Sequence, residues 1–529
     1  MRGVASDGRL QAEFGRDRHG LYEMPRTANI DRGPAESGDS RGFVRHAATG
    51  ILFAAAVCAL YLYPPVGICV LALTTGLYLL NRFSTAALLL WLCALPVDAA
   101  PRLSDEQMIL ARVLSGVMIF AVIVRRRGLS RIPEAAQWHA LLFALFLAVL
   151  ALSSLRSTGT MHIPVPLWIY PAFFLMFSIV LSDAKLRRPV VWAVVLGAGG
   201  SALVAVVQFL ILRFGVLAVL SPVVLPGGFQ HAESLDLMRS GYIQPHRVLG
   251  TLYSPNALGA FLMMVFPFAA WLYTLRKGAS GMWVGAWAAC AALLMVAVVF
   301  LTKSRAAMLG AIVAGTVLYL GVQTRRTLAR SVFVAGAAAF VLAMAIISSS
   351  SLRDSLRLDT GMSIRPILWN QAMDIIKEKP VLGAGAVGLE GGFMNRFAPG
   401  TVTFGNELSK RSGPPSPNFV EHTLSRSKEM GTVYLVNYHL TPHNLYLYLG
   451  VQTGLCGLAV LGCFFYPLLR HQIRRIAAGD RRVLPPLAAT AAILCASFFD
   501  VILFYSIAVT TIFALASAMT FSETVGSRA

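Results

Sequence analysis

Long apolar runs, separated by short polar connectors, recur along almost the whole chain. Runs of about 17–25 residues are long enough to cross a bilayer as helices, and their continuous rather than alternating pattern argues against a transmembrane β-barrel. The pattern predicts an all-α polytopic membrane protein with about 12–14 transmembrane helices. We place the spans near 46–63, 65–81, 84–100, 108–124, 137–153, 164–182, 189–212, 256–275, 281–301, 305–321, 331–349, 443–469, 484–499 and 501–521.

Composition and charge agree with this interpretation. Only 13% of the 529 residues are charged, whereas a soluble protein carries roughly a quarter. The net charge is +20, but the basic residues cluster in connectors between spans, as the positive-inside rule describes. The excess charge therefore indicates membrane orientation and not a nucleic-acid partner. The connectors assigned to the cytoplasm by this rule are 125–131, 185–188, 276–277, 325–330 and 470–482.

This orientation divides the chain into five predicted regions. The first region, residues 1–45, mixes basic and acidic residues with few apolar ones, which is typical of a disordered tail. The seven cysteines lack metal-ligand spacing and lie in or beside apolar runs, so we expect no metal site and no disulfide framework. The regions are a cytoplasmic tail at 1–45, transmembrane helices at 46–349, a large external loop containing short amphipathic helices at 350–442, transmembrane helices at 443–521 and a cytoplasmic tail at 522–529.

Two polar features precede the external loop and fall on the same side of the membrane. In RVLGTLYSPNALG (247–259), Arg247 precedes a Ser-Pro-Asn turn, and Asn256 is a candidate N-cap of the next helix. In TKSR (302–305), Ser304 and Arg305 lie in a tight turn between two spans. Both arginines fit a phosphate ligand. Snorkelling of an interfacial arginine is the alternative: from spacing alone it is favoured for Arg247, and it explains Arg305 equally well.

Two further polar features lie in and after the loop. SIRPILWNQAMDIIKEKP (363–380) has apolar residues at helical spacing, which predicts an amphipathic helix on the membrane or against the bundle. Arg365 is in its first turn, where the helix dipole disfavours a cation. The glycine-rich PVLGAGAVG (380–388) is more typical of a flexible connector than of a phosphate loop. In PHNLYL (442–447), His443 fits either a helix cap or a general base.

Other catalytic patterns do not appear. The sequence has no HExxH or GxSxG motif and no paired carboxylates, which disfavours hydrolysis of the protease or lipase kind. Asp500, between the last two predicted spans, is interpreted as a turn residue.

Taken in order, RVLGTLYSPNALG, TKSR, the R…W…P…G.G.G pattern of 365–388 and PHNLYL resemble the O-antigen ligase/polymerase superfamily of bacterial envelope glycosyltransferases. The resemblance covers roughly residues 190–470. It implies a GT-C-like protein of the bacterial inner membrane whose active site faces the periplasm. The implied donor is a glycan on undecaprenyl diphosphate, and the implied reaction is a metal-independent, inverting transfer without a cofactor.

The resemblance also implies roles for residues. His443 corresponds to the catalytic histidine, and Arg247 and Arg305 correspond to the diphosphate-binding arginines; Arg365 is a third candidate for phosphate or sugar. The remaining candidates, in supporting roles, are Asn444, Ser304, Asn256 and Trp369.

The acceptor and one rival function stay open. The acceptor is either another glycan, as in a polymerase of O-antigen or exopolysaccharide, or lipid A-core, as in a ligase; a span count above the usual twelve of the ligases favours the polymerase slightly. A chain-length regulator is a further candidate partner. The alternative is a transporter or flippase of lipid-linked sugars, which would place charges along a path through the membrane rather than at one face.

Overall fold

The computed structural model describes residues 84–97, 113–124 except 114 and 118, 128, 132–158, 165–214, 216, 220, 247–322 except 253 and 275–277, 365–385, and 442–522 except 505. Within these residues the regular structure is helical. The α-helices are α1 (Ser84–Ala94), α2 (Glu134–Thr158), α3 (Val165–Leu181), α4 (Ala184–Phe214), α5 (Pro255–Thr274), α6 (Gly278–Leu301), α7 (Arg305–Val322), α8 (Arg365–Glu378), α9 (Leu445–Ala477), α10 (Leu484–Ala496) and α11 (Ile507–Phe521).

Apart from α8, which lies in the predicted external loop, the helices overlap predicted spans, and the all-α polytopic membrane fold is confirmed. Among the described helices, five are long and apolar enough to cross a membrane: α2, α4, α5, α6 and α9. Shorter apolar helices, among them α1, α3, α7 and α11, lie within further predicted spans. The predicted spans at 46–63, 65–81 and 331–349 lie outside the described residues.

The centre of the bundle is built from α5, α10 and α11. All 15 residues of α11 are buried, and α5 packs against α6, α7 and α10. By contrast, α6 leaves large apolar side chains such as Trp283 and Leu293 exposed. An exposed apolar surface of this kind is typical of a helix that faces lipid in a membrane protein.

An aromatic cluster joins α2, α3, α9 and α11. The ring centroids of Phe143 and Tyr170 are 4.3 Å apart, and those of Phe143 and Phe464 are 5.1 Å apart. The Tyr170 hydroxyl lies 3.0 Å from Nε2 of His139, so the two polar atoms pair with each other inside the apolar cluster. The cluster fixes α9, the helix that follows His443, against the rest of the bundle.

The glycine-rich turn after α8 docks into a break in α9. Gly454 has φ 62° and ψ −160°, which is not a helical conformation. The helical hydrogen bonds are therefore interrupted here, and backbone carbonyl and amide groups next to Gly454 are available to other partners. Leu455 N donates to Pro380 O at 2.7 Å, and Ala384 N donates to Val451 O at 2.7 Å. The expected flexible connector is wrong over 380–385, because its backbone polar groups pair with those that the helix break leaves open.

Only glycine fits on both sides of this contact. A Cβ on Gly454 would lie 2.5 Å from Val381 O, and a Cβ on Gly383 would lie 2.6 Å from Gly454 N. The turn also contacts α2: the Ser153 hydroxyl donates to Leu382 O at 2.6 Å, so a third element is bound to the turn. The break therefore anchors α8 to the bundle.

Candidate functional site

Arg247 is held by two contacts that connect two of the sequence motifs. Its Nε donates to Thr302 O at 2.8 Å, and its Nη2 donates to Asn256 Oδ1 at 2.6 Å. The backbone just after it is fixed by Gln208 of α4, whose Oε1 accepts from Gly250 N at 2.8 Å and whose Nε2 donates to Gly250 O at 2.6 Å. Two of the groups that position the guanidinium are thus a backbone carbonyl and a side-chain amide oxygen, and neither carries a formal charge.

Asn256 is not the N-cap that the sequence suggests. The cap is Ser254, whose Oγ accepts from Ala257 N at 3.0 Å, and Pro255 is the first helical residue. Because Asn256 lies one residue inside α5, its side chain is free to point away from the helix end. It accepts from Arg247 and donates through Nδ2 to Asp500 Oδ2 at 2.8 Å.

Asp500 completes this chain of contacts and was missed as a site residue. It does follow a turn, at 497–499, as expected, but it is only 7% exposed. Its Oδ1 accepts from Val501 N at 2.7 Å, while Oδ2 accepts from Asn256. A lone carboxylate between two apolar spans was the available signal, since a buried acid among membrane helices is usually paired or functional.

The TKSR turn connects α6 to α7 beside Arg247. Thr302 is fully buried, donates from Oγ1 to Val299 O at 2.6 Å and accepts from Ser304 N at 3.2 Å. The Ser304 hydroxyl accepts from Ala307 N at 3.4 Å and caps α7, which begins at the half-buried Arg305. Ser304 therefore supports the start of the helix that carries Arg305.

The last glycine of RVLGTLYSPNALG permits the close approach of this turn. A Cβ on Gly259 would lie 2.6 Å from Ala307 Cβ and 3.1 Å from Thr302 Oγ1. Contacts as short as the first do not occur between real side chains, so a larger residue would push α7 and the TKSR turn away from α5. The close approach of the first two motifs thus requires a residue without a Cβ at position 259.

The HN motif begins α9 at the same end of the bundle. Asn444, which is buried, is the N-cap: its Oδ1 accepts from Tyr446 N at 3.0 Å and from Leu447 N at 3.1 Å. Leu445 N donates to Ser497 O at 2.8 Å, which places the motif next to the turn that precedes Asp500. His443 is exposed and is not the cap.

Strained backbone marks two of the motifs. Within the described part of the chain, the non-glycine residues with positive φ are Lys303, at 51°, and His443, at 45°. The left-handed region costs a non-glycine residue about 1–3 kcal/mol, and such residues concentrate at functional sites. One lies in TKSR and the other in the HN motif.

Helix α8 reaches the HN motif through Trp369. Its Nε1 donates to Pro442 O at 2.7 Å, directly before His443. The buried face of the helix, with Ala372, Ile375 and Ile376, packs on α9, so of the two predicted positions the one against the bundle is correct. Arg365 is the first residue of α8, and its side chain lies outside the described residues, as does His246.

The four motifs are therefore linked by direct contacts at one end of the bundle, which we call the motif end. Arg247 touches Thr302 and Asn256, Asn256 touches Asp500, the adjoining turn touches the HN motif, and Trp369 touches that motif from the other side. Arg247, Arg305 and His443 belong to these linked motifs, and residues of these types can bind an anion and accept a proton. In the residues that the structure describes, no group of three or more His, Cys, Asp or Glu side chains is arranged to hold a metal ion.

Comparison with protein families gives one match. The family model described as O-antigen ligase matches residues 290–462, a segment that contains TKSR, α8 and the HN motif, while Arg247 and Asn256 precede it. No curated protein matches the chain.

Proposed function

We propose that this protein, whose residues 290–462 match the O-antigen ligase family model, is an inner-membrane glycosyltransferase that moves or polymerises an oligosaccharide carried on undecaprenyl diphosphate. The observation that supports this most strongly is the contact of Arg247 with the TKSR turn, since it unites a residue outside the matched segment with one inside it. The proposed reaction takes place at the motif end, facing the periplasm.

Two arginines bind the donor diphosphate in this proposal. Cleavage of a glycosyl–diphosphate bond develops negative charge on the leaving group, and guanidinium groups held in fixed positions stabilise that charge. Arg247 is held by Thr302 O and Asn256 Oδ1, and Arg305 is the first residue of α7, whose start Ser304 caps. Arg365, at the start of α8, is a third candidate ligand.

His443 is the proposed general base. The acceptor hydroxyl oxygen attacks the anomeric carbon, the bond from that carbon to the diphosphate oxygen breaks, and the diphosphate leaves with the electron pair. The proton of the hydroxyl passes to the imidazole, which is exposed and therefore within reach of an acceptor. Attack opposite the leaving group inverts the anomeric configuration.

The test is to remove the imidazole without disturbing the backbone. Since His443 has φ 45°, glycine keeps the conformation better than alanine does. We expect His443→Gly to lower the transfer rate by about 10²–10⁴ with an unchanged melting temperature. His471→Ala, on the same helix far from the motif end, is the matched control and should transfer normally.

The assay uses the purified full-length protein and an undecaprenyl-diphosphate oligosaccharide, with either lipid A-core or a second lipid-linked repeat as acceptor. Product with the repeat identifies a polymerase, and product with lipid A-core identifies a ligase. Wild-type transfer by a folded His443→Gly variant would refute the base, and equal transfer by a folded Arg305→Ala variant would refute the diphosphate site.

A further inference from the structure

A lateral groove runs between α4 and α6 on the outside of the bundle. It has a volume of about 820 Å³ and is partly open to the surroundings of the protein. Its walls include Trp192 and Leu196 from α4 and Trp287 and Leu294 from α6. Trp287 is 73% exposed within the protein, so its indole ring is available to an apolar ligand.

The floor of the groove is formed by two consecutive glycines. Among the described residues, and leaving out the adjacent backbone of α4 itself, nothing lies within 4 Å of a Cβ built on Gly199 or on Gly200. Neither glycine therefore makes a close contact with a described neighbouring helix, which is the usual reason for glycine in a membrane helix. Instead, the missing side chains leave space for a ligand between the two helices.

One end of the groove carries a cation. Arg188 lines it and is exposed, whereas its neighbour Arg187 donates to Leu181 O and Ser522 O, both at 3.0 Å, and serves the fold. Apart from Arg188, the side chains that line the groove are apolar or weakly polar. An apolar channel ending at a guanidinium is complementary to a fatty chain with a phosphate at its end.

The charged end lies far from the motif end. Gln208 binds the Gly250 backbone there, and the 20 residues from Arg188 to Gln208 along α4 correspond to about 30 Å of helix. This is about the thickness of the hydrocarbon core, so the two ends lie at opposite membrane surfaces. The basic connector 185–188 places the Arg188 end at the cytoplasmic surface.

We propose that this groove binds an anionic phospholipid of the cytoplasmic leaflet, with one acyl chain between α4 and α6 and the phosphate on Arg188. Basic pockets between membrane helices on the cytoplasmic side are suited to anionic lipid headgroups. The donor of the proposed transfer reaction presents its diphosphate at the other surface, and the groove is therefore a separate lipid site.

The experiment is native mass spectrometry of the full-length protein in detergent, with phosphatidylglycerol or phosphatidylcholine added. We expect tighter retention of one phosphatidylglycerol. Arg188→Gln should weaken it about fivefold, as expected for one cation near anionic lipid, while Lys185→Gln, on the same connector but outside the groove, should have little effect. Gly200→Leu adds a side chain at a position where a Cβ meets no described neighbour, and by occupying the groove it should weaken retention of both lipids.

Three results would overturn the proposal. The first is equal retention of the two lipids by the wild type. The second is wild-type retention by the folded Arg188→Gln and Gly200→Leu variants. The third is displacement of the bound phospholipid by undecaprenyl diphosphate, which would assign the groove to the donor. Retention measured on His443→Gly should match the wild type, because the groove does not depend on the transfer reaction.

Discussion

Exchanging the side chains of Asn256 and Asp500 tests whether this hydrogen-bonded pair positions Arg247. Both oxygens of Asp500 accept hydrogen bonds, one from Val501 N and the other from Asn256 Nδ2. In Asp500→Asn only one oxygen remains, so an NH₂ group faces a donor. If Asn256 rotates to relieve this contact, its own NH₂ turns toward the guanidinium of Arg247.

The size of the effect follows from these contacts. A buried donor left without an acceptor costs about 1–3 kcal/mol, and we expect kcat/KM for transfer to fall by about tenfold to a hundredfold. Asn256→Asp alone should also be impaired, because it places two carboxylates against each other. The double variant Asn256→Asp/Asp500→Asn restores every pairing. The carboxylate at position 256 would accept from Arg247 and from the new amide at position 500, whose oxygen would accept from Val501 N.

The measurement is a double-mutant cycle on kcat/KM, with melting temperatures recorded in parallel. Rescue by the double variant, with a coupling of about 0.5–3 kcal/mol, supports the positioning role. Asp480→Asn is the matched control, because Asp480 pairs with Arg475 at the opposite end of α9, and it should leave transfer unchanged. If the double variant is as impaired as the product of the two single effects, the reasoning is wrong.

Two glycine substitutions test the packing that brings the motifs together. Gly259→Ala places a Cβ 2.6 Å from Ala307 Cβ and should lower both the melting temperature and transfer, whereas Gly315→Ala, with open space around it on α7, should be neutral or stabilising. Gly454→Ala combines a positive φ with a 2.5 Å approach to a carbonyl oxygen and should lower the melting temperature sharply, whereas Gly462→Ala on the same helix should not. Equal melting temperatures within either pair would contradict the close contacts described above.

The helices and the four polar motifs could be predicted because local physics determines them. An apolar run must form a helix in lipid, since no other single-segment structure satisfies its backbone, and the polar motifs interrupt these runs at helix ends. The ends agree closely: spans predicted at 256–275 and 305–321 correspond to Pro255–Thr274 and Arg305–Val322.

The role of individual polar residues could not be predicted as well. Asn256 looked like a cap because it follows Ser-Pro, but Ser254 takes that role, and Asn256 pairs with Asp500, which is 244 residues away. Local spacing carries no information about a partner at that separation. The glycine-rich turn gives the same lesson, because its rigidity depends on a helix break at Gly454 that only the docked turn makes favourable.

Local patterns along the chain were therefore sufficient for the membrane fold and for the identity of the motifs, because hydropathy and helix-end chemistry act over a few residues. The orientation of Arg247, the burial of Asp500 and the docking of residues 380–385 arise from packing between helices remote in sequence. Buried polar groups pair with whichever partner the packing brings within hydrogen-bond distance, and that distance is a property of the assembled bundle.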